Sequence, residues 1–149
     1  MFRETTCTYC GEPCDTMDHV VPVSVSEVSR KTAKWTEEHV VPCCRECNTL
    51  LGNSYILTVW ERASFIEKKL ENRYKKILAC PEWDEEDLKE MAYKFRKRIK
   101  NDLDAKRVTL CRVQHAEWVA SSGIEIADVW ESINKPVIGD FNIEFRTTS

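Results

Sequence analysis

Long apolar runs are missing from this sequence, and no segment approaches the roughly 20 apolar residues that a membrane-spanning helix requires. The opening segment also lacks the apolar core and the small-residue cleavage site of a secretory signal. No internal repeat or low-complexity tract divides the 149 residues, a length typical of one domain or of a small domain with an extension. We therefore expect a cytoplasmic protein that makes no membrane contact.

Net positive charge is missing as well. The chain has 22 Lys and Arg residues against 25 Asp and Glu residues, a net charge of −3 that is not typical of a nucleic-acid-binding protein. The distribution is uneven, because residues 1–53 carry 5 basic and 8 acidic groups whereas residues 54–80 carry 6 and 3. A basic surplus thus follows the cysteine-rich region, where it could face a phosphate backbone.

Cysteine, in contrast, is abundant, and four of the eight cysteines form two CxxC pairs. Cys7 and Cys10 make the first pair, Cys44 and Cys47 make the second, and 33 residues separate the pairs. The cytosol keeps thiols reduced, which favours metal ligation over disulfides. Two CxxC pairs are typical of a tetrahedral structural zinc site, and we predict Zn²⁺ at these four residues.

The other four cysteines leave the ligand assignment partly open. Cys14 and Cys43 lie close in sequence to the two pairs, so either could replace a neighbour as a ligand. The CxxC spacing favours the paired residues, because a two-residue insert lets both sulfur atoms reach one metal. Cys80 and Cys111 fall on helical patterns and are expected to be packing residues. The alternative to a metal site is a set of buried apolar cysteines.

A zinc site at the two pairs would bring three further polar residues together. Asp18, His19 and Asn48 lie between the pairs or directly after them, and zinc would fix both ends of that segment. A carboxylate, an imidazole and a carboxamide can hold a hard divalent cation and accept a proton from water. We therefore predict an enzyme. Each residue also has an ordinary interpretation, since an Asp-His pair can form a surface turn and Asn48 can cap a helix.

The region between and after the cysteine pairs has the pattern of two strands and a short helix. β-branched residues predict a strand over about 18–25, and a second strand over 39–41 that Pro42 stops. Residues 45–51 are predicted to be helical, with Gly52 as the C-cap.

Two longer helical patterns follow. Asp84 is a predicted N-cap for a second helix that begins at about Glu85 and either continues or breaks and restarts through Trp118. The first helix is predicted to end at Cys80-Pro81. The apolar positions are Ile56, Val59, Trp60, Ala63, Ile66, Leu70, Tyr74 and Ile77 in the first helix, and Leu88, Ala92, Phe95, Ile99 and Leu103 in the second.

These patterns divide the chain into three parts. Residues 1–53 form the predicted cysteine-rich core, and residues 54–120 form a helical extension that packs on it. Residues 121–149 are expected to be an irregular tail, with a possible strand over 141–145.

The core resembles a known family of enzymes. The matching residues are Asp18-His19-Val20-Val21-Pro22, then His39-Val40-Val41-Pro42-Cys43-Cys44-Arg45-Glu46-Cys47-Asn48, and then Gly52. This pattern, inside two CxxC pairs, is similar to that of the HNH, or ββα-metal, endonucleases of phages and bacteria. The resemblance covers residues 7–52. It implies an α+β protein with a zinc-braced ββα-metal core and a C-terminal helical extension.

The resemblance also implies roles for the polar residues. Asp18 and Asn48 would ligate one catalytic Mg²⁺ or Mn²⁺ ion, with waters and the scissile phosphate completing its shell. His19 would be the general base that takes a proton from the attacking water. The cation would neutralise charge on the transition state and on the departing 3′ oxygen. Products with 5′-phosphate and 3′-hydroxyl ends are implied.

The sequence departs from the family at two places. The position nine residues before Asn48 usually holds Asn in the family, and here it holds His39. We expect His39 to brace the loop in place of that Asn, since an imidazole also donates and accepts hydrogen bonds. It could instead approach the metal. The glycines that follow the first motif in the family are replaced here by Ser24-Val-Ser-Glu.

The resulting hypothesis is an endonuclease that hydrolyses phosphodiester bonds of DNA. The expected substrate is double-stranded DNA. The resemblance implies a phage or mobile-element source, hence a host cytoplasm, and a packaging or other protein partner. It does not distinguish nicking from double-strand cleavage. A zinc-stabilised DNA- or protein-binding module without catalysis is the alternative, and RNA is a further candidate substrate.

Two basic clusters bear on that hypothesis. The segments 73–76 and 94–100 could contact phosphates along a duplex, or could be solvated helix faces. No function is expected for His115.

Overall fold

The computed structural model describes residues 5–21 and 39–134. This part of the chain contains two small antiparallel sheets and a larger helical portion, so the predicted mixture of helices and strands is confirmed. The strands are β1 (Thr5–Thr6), β2 (Pro13–Cys14), β3 (Thr16–His19) and β4 (Val40–Cys43). The helices are α1 (Arg45–Leu51), α2 (Val59–Arg73), α3 (Lys75–Leu78), α4 (Glu85–Lys89), α5 (Tyr93–Ser122) and α6 (Ile126–Asn134).

β1 and β2 form a short hairpin that carries the first CxxC pair in its turn. The turn closes through two backbone hydrogen bonds, from Cys7 N to Glu12 O at 2.7 Å and from Gly11 N to Cys7 O at 2.9 Å. Gly11 has φ of 79°, a left-handed conformation that glycine adopts without steric cost. The two cysteines of the pair are thus held by backbone geometry before any metal is considered.

β3 and β4 form the second antiparallel pair, with Asp18 opposite Val41 and His19 opposite Val40. The prediction placed β3 too late, because the strand begins at Thr16 and ends at His19; residues 22–25 of the predicted strand lie outside the described residues. The prediction that Pro42 stops β4 is wrong, since the strand continues to Cys43. The Pro42 carbonyl accepts from Thr8 N at 2.9 Å, on the side away from β3, so the missing N–H of proline costs no pairing bond.

α1 begins and ends where the sequence predicts. Its N-cap is Cys44, whose Sγ accepts from Cys47 N at 3.4 Å. Its C-cap is Gly52, which has φ of 52° and donates its N–H to Asn48 O at 3.1 Å. The ligand-bearing segment 44–47 therefore coincides with the first turn of a capped helix, and the strand-strand-helix order follows in sequence.

The first long helical pattern is shorter than predicted at both ends. α2 begins at Val59, because the Thr58 side chain accepts from Glu61 N at 3.3 Å and caps the helix there. At Tyr74 the chain leaves the α conformation, and the short helix α3 follows. Ile56 therefore lies before the helix rather than on its first turn.

The second helical pattern is two helices. Asp84 caps α4 as predicted, in a capping box with Asp87. The break comes earlier than the predicted restart, since α4 ends at Lys89 and α5 then runs without interruption to Ser122, where Gly123 (φ 71°) ends it. The prediction of an irregular segment from residue 121 is wrong as far as Asn134, because α6 occupies residues 126–134. The possible strand at 141–145 lies outside the described residues.

Three helices, α1, α3 and α5, pack against α2. α2 contacts both α1 and α5, and α6 contacts β4, where the Trp130 indole N–H donates to Val40 O at 2.8 Å. α2 and α5 are antiparallel, since Tyr74 lies beside Arg112 while the carboxylate of Glu67 lies near that of Glu117. The buried core joins the cysteine-rich segment to the helices and includes Cys7, Tyr9, Val20, Val41, Cys47, Leu51, Val59, Ala63, Ile66, Leu70, Val113, Ala116 and Val119.

Within residues 5–21 and 39–134, no helix combines the length and the apolar character that crossing a membrane requires.

Gly11 and Gly123 provide a matched test of the first turn. Both have left-handed backbones, but a Cβ at Gly11 would lie 3.1 Å from His115 Nδ1, whereas nothing lies within 4 Å of one at Gly123. We expect Gly123→Ala to cost about 1 kcal/mol through backbone strain, and Gly11→Ala about 2 kcal/mol or more because His115 must also move. Urea unfolding of both variants measures this. Equal losses would show that α5 does not press on the turn.

Candidate metal centre and adjacent polar pocket

The four predicted zinc ligands form one cluster. The Sγ atoms of Cys7, Cys10, Cys44 and Cys47 all lie within 4.8 Å of one another, and those of Cys10 and Cys44 are 3.6 Å apart. Zn–S bonds of about 2.3 Å in a tetrahedron place sulfur atoms about 3.8 Å apart, so the cluster fits this geometry. The turn of the first hairpin supplies two sulfurs and the start of α1 supplies the other two. These cysteines could hold a metal such as zinc.

The two alternative ligands, Cys14 and Cys43, are not in the set of sulfur atoms that all lie within 4.8 Å of one another. Cys43 Sγ donates to Cys44 O at 3.3 Å and its thiol also interacts with that of Cys7, whereas Cys14 Sγ lies 3.8 Å from Thr5 Oγ1. Cys80 Sγ lies 3.6 Å from Lys76 O. Cys111, which was expected to pack, is exposed on α5.

Crowding of the thiols sets their protonation. Hydrogen bonds from the other sulfurs, Cys10 first, lower the pKa of Cys44. The hydrogen bond with Cys44 is the main cause that raises the pKa of Cys10, and that with Cys10 is the main cause that raises the pKa of Cys47. One thiol therefore ionises at the expense of its neighbours. A bound cation would let all four become thiolates together, which would make metal affinity depend on pH.

Arg112 of α5 is a residue that the sequence analysis missed. Its Nη1 pairs with Glu46 Oε1 at 2.6 Å, while its buried Nε has no hydrogen-bond partner among the described residues. Burial lowers the pKa of Arg112, but the hydrogen bond and charge of Cys10, followed by those of Glu46, raise it overall. Four thiolates around Zn²⁺ carry a net charge of −2, so a guanidinium with a spare N–H fits beside them.

His115 also has a contact at the cluster. Its Nε2 lies 3.1 Å from Thr8 O, inside the first CxxC pair. No function was expected for His115, but this contact fastens α5 to the turn that carries the first CxxC pair.

Three of the predicted cation-binding and catalytic residues line one pocket. This pocket has a volume of about 360 Å³, and Asp18, His19 and Asn48 all contribute to its wall. Asp18 is 3% exposed and His19, at the end of β3, is exposed. The remaining lining residues are Gly52, Asn53, Ser54, Tyr55 and Arg62. A carboxylate, an imidazole and a carboxamide from β3 and α1 thus share one opening.

Asp18 is held by a network that the sequence analysis did not predict. Arg62 of α2 donates through Nε to Oδ2 at 2.8 Å and through Nη2 to Oδ1 at 2.7 Å. The Tyr9 hydroxyl donates to Oδ2 at 2.6 Å. A carboxylate has about four lone-pair directions, so among residues 5–21 and 39–134 these donors leave one on Oδ1. No local sequence signal marks Arg62, since it lies 44 residues from Asp18 on a helix that otherwise has the pattern of a packing face.

The electrostatics of this network keep Arg62 charged and Tyr9 neutral. Burial lowers the pKa of Arg62, but the hydrogen bonds and charge of Asp18 outweigh it, so the net shift is upward. Burial, with the Asp18 charge next, raises the pKa of Tyr9 well above its ordinary value. Arg62 therefore faces Asp18 as a cation, and Tyr9 donates to the same carboxyl group as a neutral phenol.

Asn48 is fixed through its nitrogen. Its Nδ2 donates to Met17 O at 3.1 Å, and its Oδ1 accepts no hydrogen bond within the described part of the chain. Asn48 lies inside α1, so its interpretation as a helix cap is wrong. Asp18 and Asn48 thus each bring a side-chain oxygen atom to the wall of this pocket.

His39 is not among the residues that line the pocket. Its backbone carbonyl accepts from Val20 N at 2.9 Å and from Val21 N at 3.3 Å, which closes the β3–β4 pair. The bracing role of its side chain stays a prediction.

Comparisons with models of protein families, with curated proteins and with solved structures find no match. What the described residues define is a mixed helix-and-sheet protein with a four-cysteine cluster suited to zinc and a polar pocket beside it.

The cluster predicts about one equivalent of tightly held zinc in purified protein. Cys44→Ser should lose the metal and unfold the N-terminal part, because zinc binding supplies folding energy to such sites. Cys111→Ser is the matched control, since its thiol is exposed and outside the cluster. Elemental analysis and circular dichroism measure both effects. Full zinc and native folding in Cys44→Ser would contradict the ligand assignment.

The Asp18–Arg62 pair predicts a large cost for breaking it. Arg62→Met should lose about 3–5 kcal/mol of stability, because a buried carboxylate is left uncompensated. The double variant with Asp18→Asn should regain much of that loss. Arg45→Met is the control, since the Arg45–Asp15 pair is 80% and 75% exposed and should contribute at most about 1 kcal/mol. Denaturant unfolding tests this, and additive losses in the double variant would rule out the coupling.

Proposed function

We propose that this protein is a metal-dependent endonuclease of the HNH type that hydrolyses phosphodiester bonds of DNA. One observation carries the proposal: Asp18, His19 and Asn48 line a single pocket next to the four-cysteine cluster. The sequence motif alone predicts Asp18 and Asn48 as cation ligands and His19 as the general base. Their convergence from β3 and α1 is an independent reason to assign them to one site.

His19 is the residue that would accept the proton. It is exposed at the end of β3 and lines the pocket, so solvent water can reach its ring. A histidine is the usual general base near neutral pH and typically contributes about 10²–10⁴-fold to the rate. Asp18 beside it is buried and held by three hydrogen bonds, which keeps the end of β3 in place.

The residues present fit a Mg²⁺ or Mn²⁺ ion that makes few protein contacts. Asp18 Oδ1 and Asn48 Oδ1 would hold it, and water and phosphate oxygens would supply the other contacts, as Mg²⁺ usually requires. When bound, the cation would neutralise negative charge on the phosphate. Both protein oxygens are oriented by hydrogen bonds to their own groups, which limits their freedom to turn away.

Arg62 makes cation binding depend on the nucleic acid. Its charge largely cancels that of Asp18, with which it is paired at 2.7 Å. A divalent cation held by Asp18 would lie near this guanidinium, and the like charges would repel each other. Negative charge from a phosphate group would offset this repulsion. We therefore expect the catalytic cation to bind weakly to the free protein and more tightly in the presence of DNA.

The same ion pair favours the second candidate, a zinc-stabilised binding module without catalysis. A buried Asp18–Arg62 pair with a tyrosine beside it is a self-sufficient structural unit. In that case the pocket would be a by-product of packing, and His19 would have no chemical role.

Cleavage of supercoiled plasmid separates the two candidates. With Mg²⁺ or Mn²⁺ added, we expect nicked or linear DNA from the wild type and at least about 100-fold less from His19→Ala. Because His19 is exposed, this variant should keep its zinc and its fold, which are measured alongside. His39→Asn, which introduces the residue usual in the family, should remain active. Labelled DNA and RNA digested in parallel identify the substrate.

Equal cleavage by the wild type and His19→Ala would mean that the activity is not that of this site. No cleavage by zinc-loaded wild type with either cation would favour the binding module.

A further inference from the structure

α5 begins with a run of positive charge that neither metal site uses. Lys94, Arg96, Lys97, Arg98 and Lys100 lie in its first turns, and residues 93–101 include no acidic residue. We propose that this segment, called here the basic arm, binds the phosphate backbone of duplex DNA at a distance from the pocket. The choice of a duplex as the ligand rests on the proposed function.

Ion pairs occupy six of the sixteen Lys and Arg residues that the structure describes, and the arm is outside all of them. Arg45, Arg73 and Arg107 each form an ion pair, and so do Arg62, Lys106 and Arg112. Within residues 5–21 and 39–134, no ion pair involves the five residues of the arm. Their charges are therefore available to a ligand.

The position of these charges also opposes the preference of the helix. The N-terminus of a helix carries partial positive charge and favours acidic residues, as in α4, where Glu85, Glu86 and Asp87 fill the first turn. α5 has no acidic residue in its first turn, and its basic residues begin there with Lys94. A local preference broken in this way is typical of a functional surface, and the exposed N–H groups would add to the attraction for an anion.

The shape of the arm suits a backbone rather than a small anion. Arg96, Lys97 and Lys100 line a shallow groove of about 380 Å³ with Tyr93, Asn101 and Asp104, and Asp104 is already paired with Arg107. Tyr93 is 67% exposed, and the Arg96 guanidinium lies 5.7 Å from the centre of its ring. Several cations spread along an open groove can contact successive phosphates, and the amide and hydroxyl groups can donate to phosphate oxygens as well.

The distance between the arm and the pocket indicates a duplex. Arg112 and Tyr74 share Glu46 and therefore mark the same level of the antiparallel helices α5 and α2. From that level, Arg62 is 12 residues back along α2 and Lys97 is 15 residues back along α5. At about 1.5 Å per residue the two lie about 40 Å apart along the helix axes, which is about 12 base pairs of B-form DNA. A duplex is straight and stiff over this length, whereas a single strand is not.

Fluorescence anisotropy with zinc-loaded protein and labelled duplexes, without the catalytic cation, tests the arm. Lys97→Gln with Lys100→Gln removes two charges from it. Lys68→Gln with Lys69→Gln is the control, since both lysines are exposed on α2. On a duplex of about 24 base pairs, we expect the arm variant to bind at least about 10-fold more weakly, with the slope of log K against log salt reduced by about 2. The control should stay within about 2-fold.

Duplex length provides the second comparison. A duplex of about 8 base pairs is too short to reach both the arm and the pocket. When this duplex binds at the pocket, the arm substitutions should lower its affinity much less than they lower that of the long duplex. Equal losses in the arm variant and the control, or an unchanged salt slope, would overturn the proposal. Loss of binding to polyglutamate with no loss on DNA would also overturn it, since the arm would then be a docking site for acidic protein.

The outcome is separable from that of the proposed function. Arm-dependent binding of duplex DNA by a protein that cleaves nothing would support the arm and reject the nuclease. Cleavage of plasmid by a protein whose duplex affinity does not depend on the arm would support the nuclease and reject the arm.

Discussion

The convergence of four sulfur atoms within 4.8 Å is the constraint on which the cysteine-rich part of the protein depends. It ties the turn of the β1–β2 hairpin to the first turn of α1. Short strands of two to four residues cannot bury enough surface to be stable alone, so a metal at this cluster would supply energy that the small sheets lack. α5 adds to it, because Arg112 and His115 both contact this region.

The second constraint is a buried ion pair that joins the pocket to the helices. Arg62 of α2 holds Asp18 of β3 through two hydrogen bonds, while Tyr9 holds the same carboxylate from the first CxxC turn. The pocket is therefore assembled from three separate segments rather than from the β3–β4–α1 unit alone. This makes the helical extension part of the site, and it sets the charge that any cation or phosphate would meet there.

The sequence predicts those elements whose signals are local. α1 with its Gly52 cap and the Asp84 cap of α4 were predicted correctly, because a capping side chain or a left-handed glycine acts within a few residues. The sequence-based prediction was wrong at Pro42. Its backbone nitrogen carries no hydrogen, and this is harmless only because that nitrogen faces away from β3. The prediction also failed at α6, a short helix fastened to β4 by the Trp130 indole, a contact across 90 residues.

By itself, the sequence selected the four cysteines of the cluster and three residues of the pocket wall, Asp18, His19 and Asn48. CxxC spacing and an Asp-His pair restrict which sulfur, nitrogen and oxygen atoms can meet, whatever surrounds them. Only the tertiary structure decided the partners of those atoms. Arg62 reaches Asp18 across 44 residues and Arg112 reaches Glu46 across 66, because α2 and α5 pack antiparallel against the cysteine-rich segment. Such pairings depend on how faces of separate helices meet, and no local pattern in the chain encodes that.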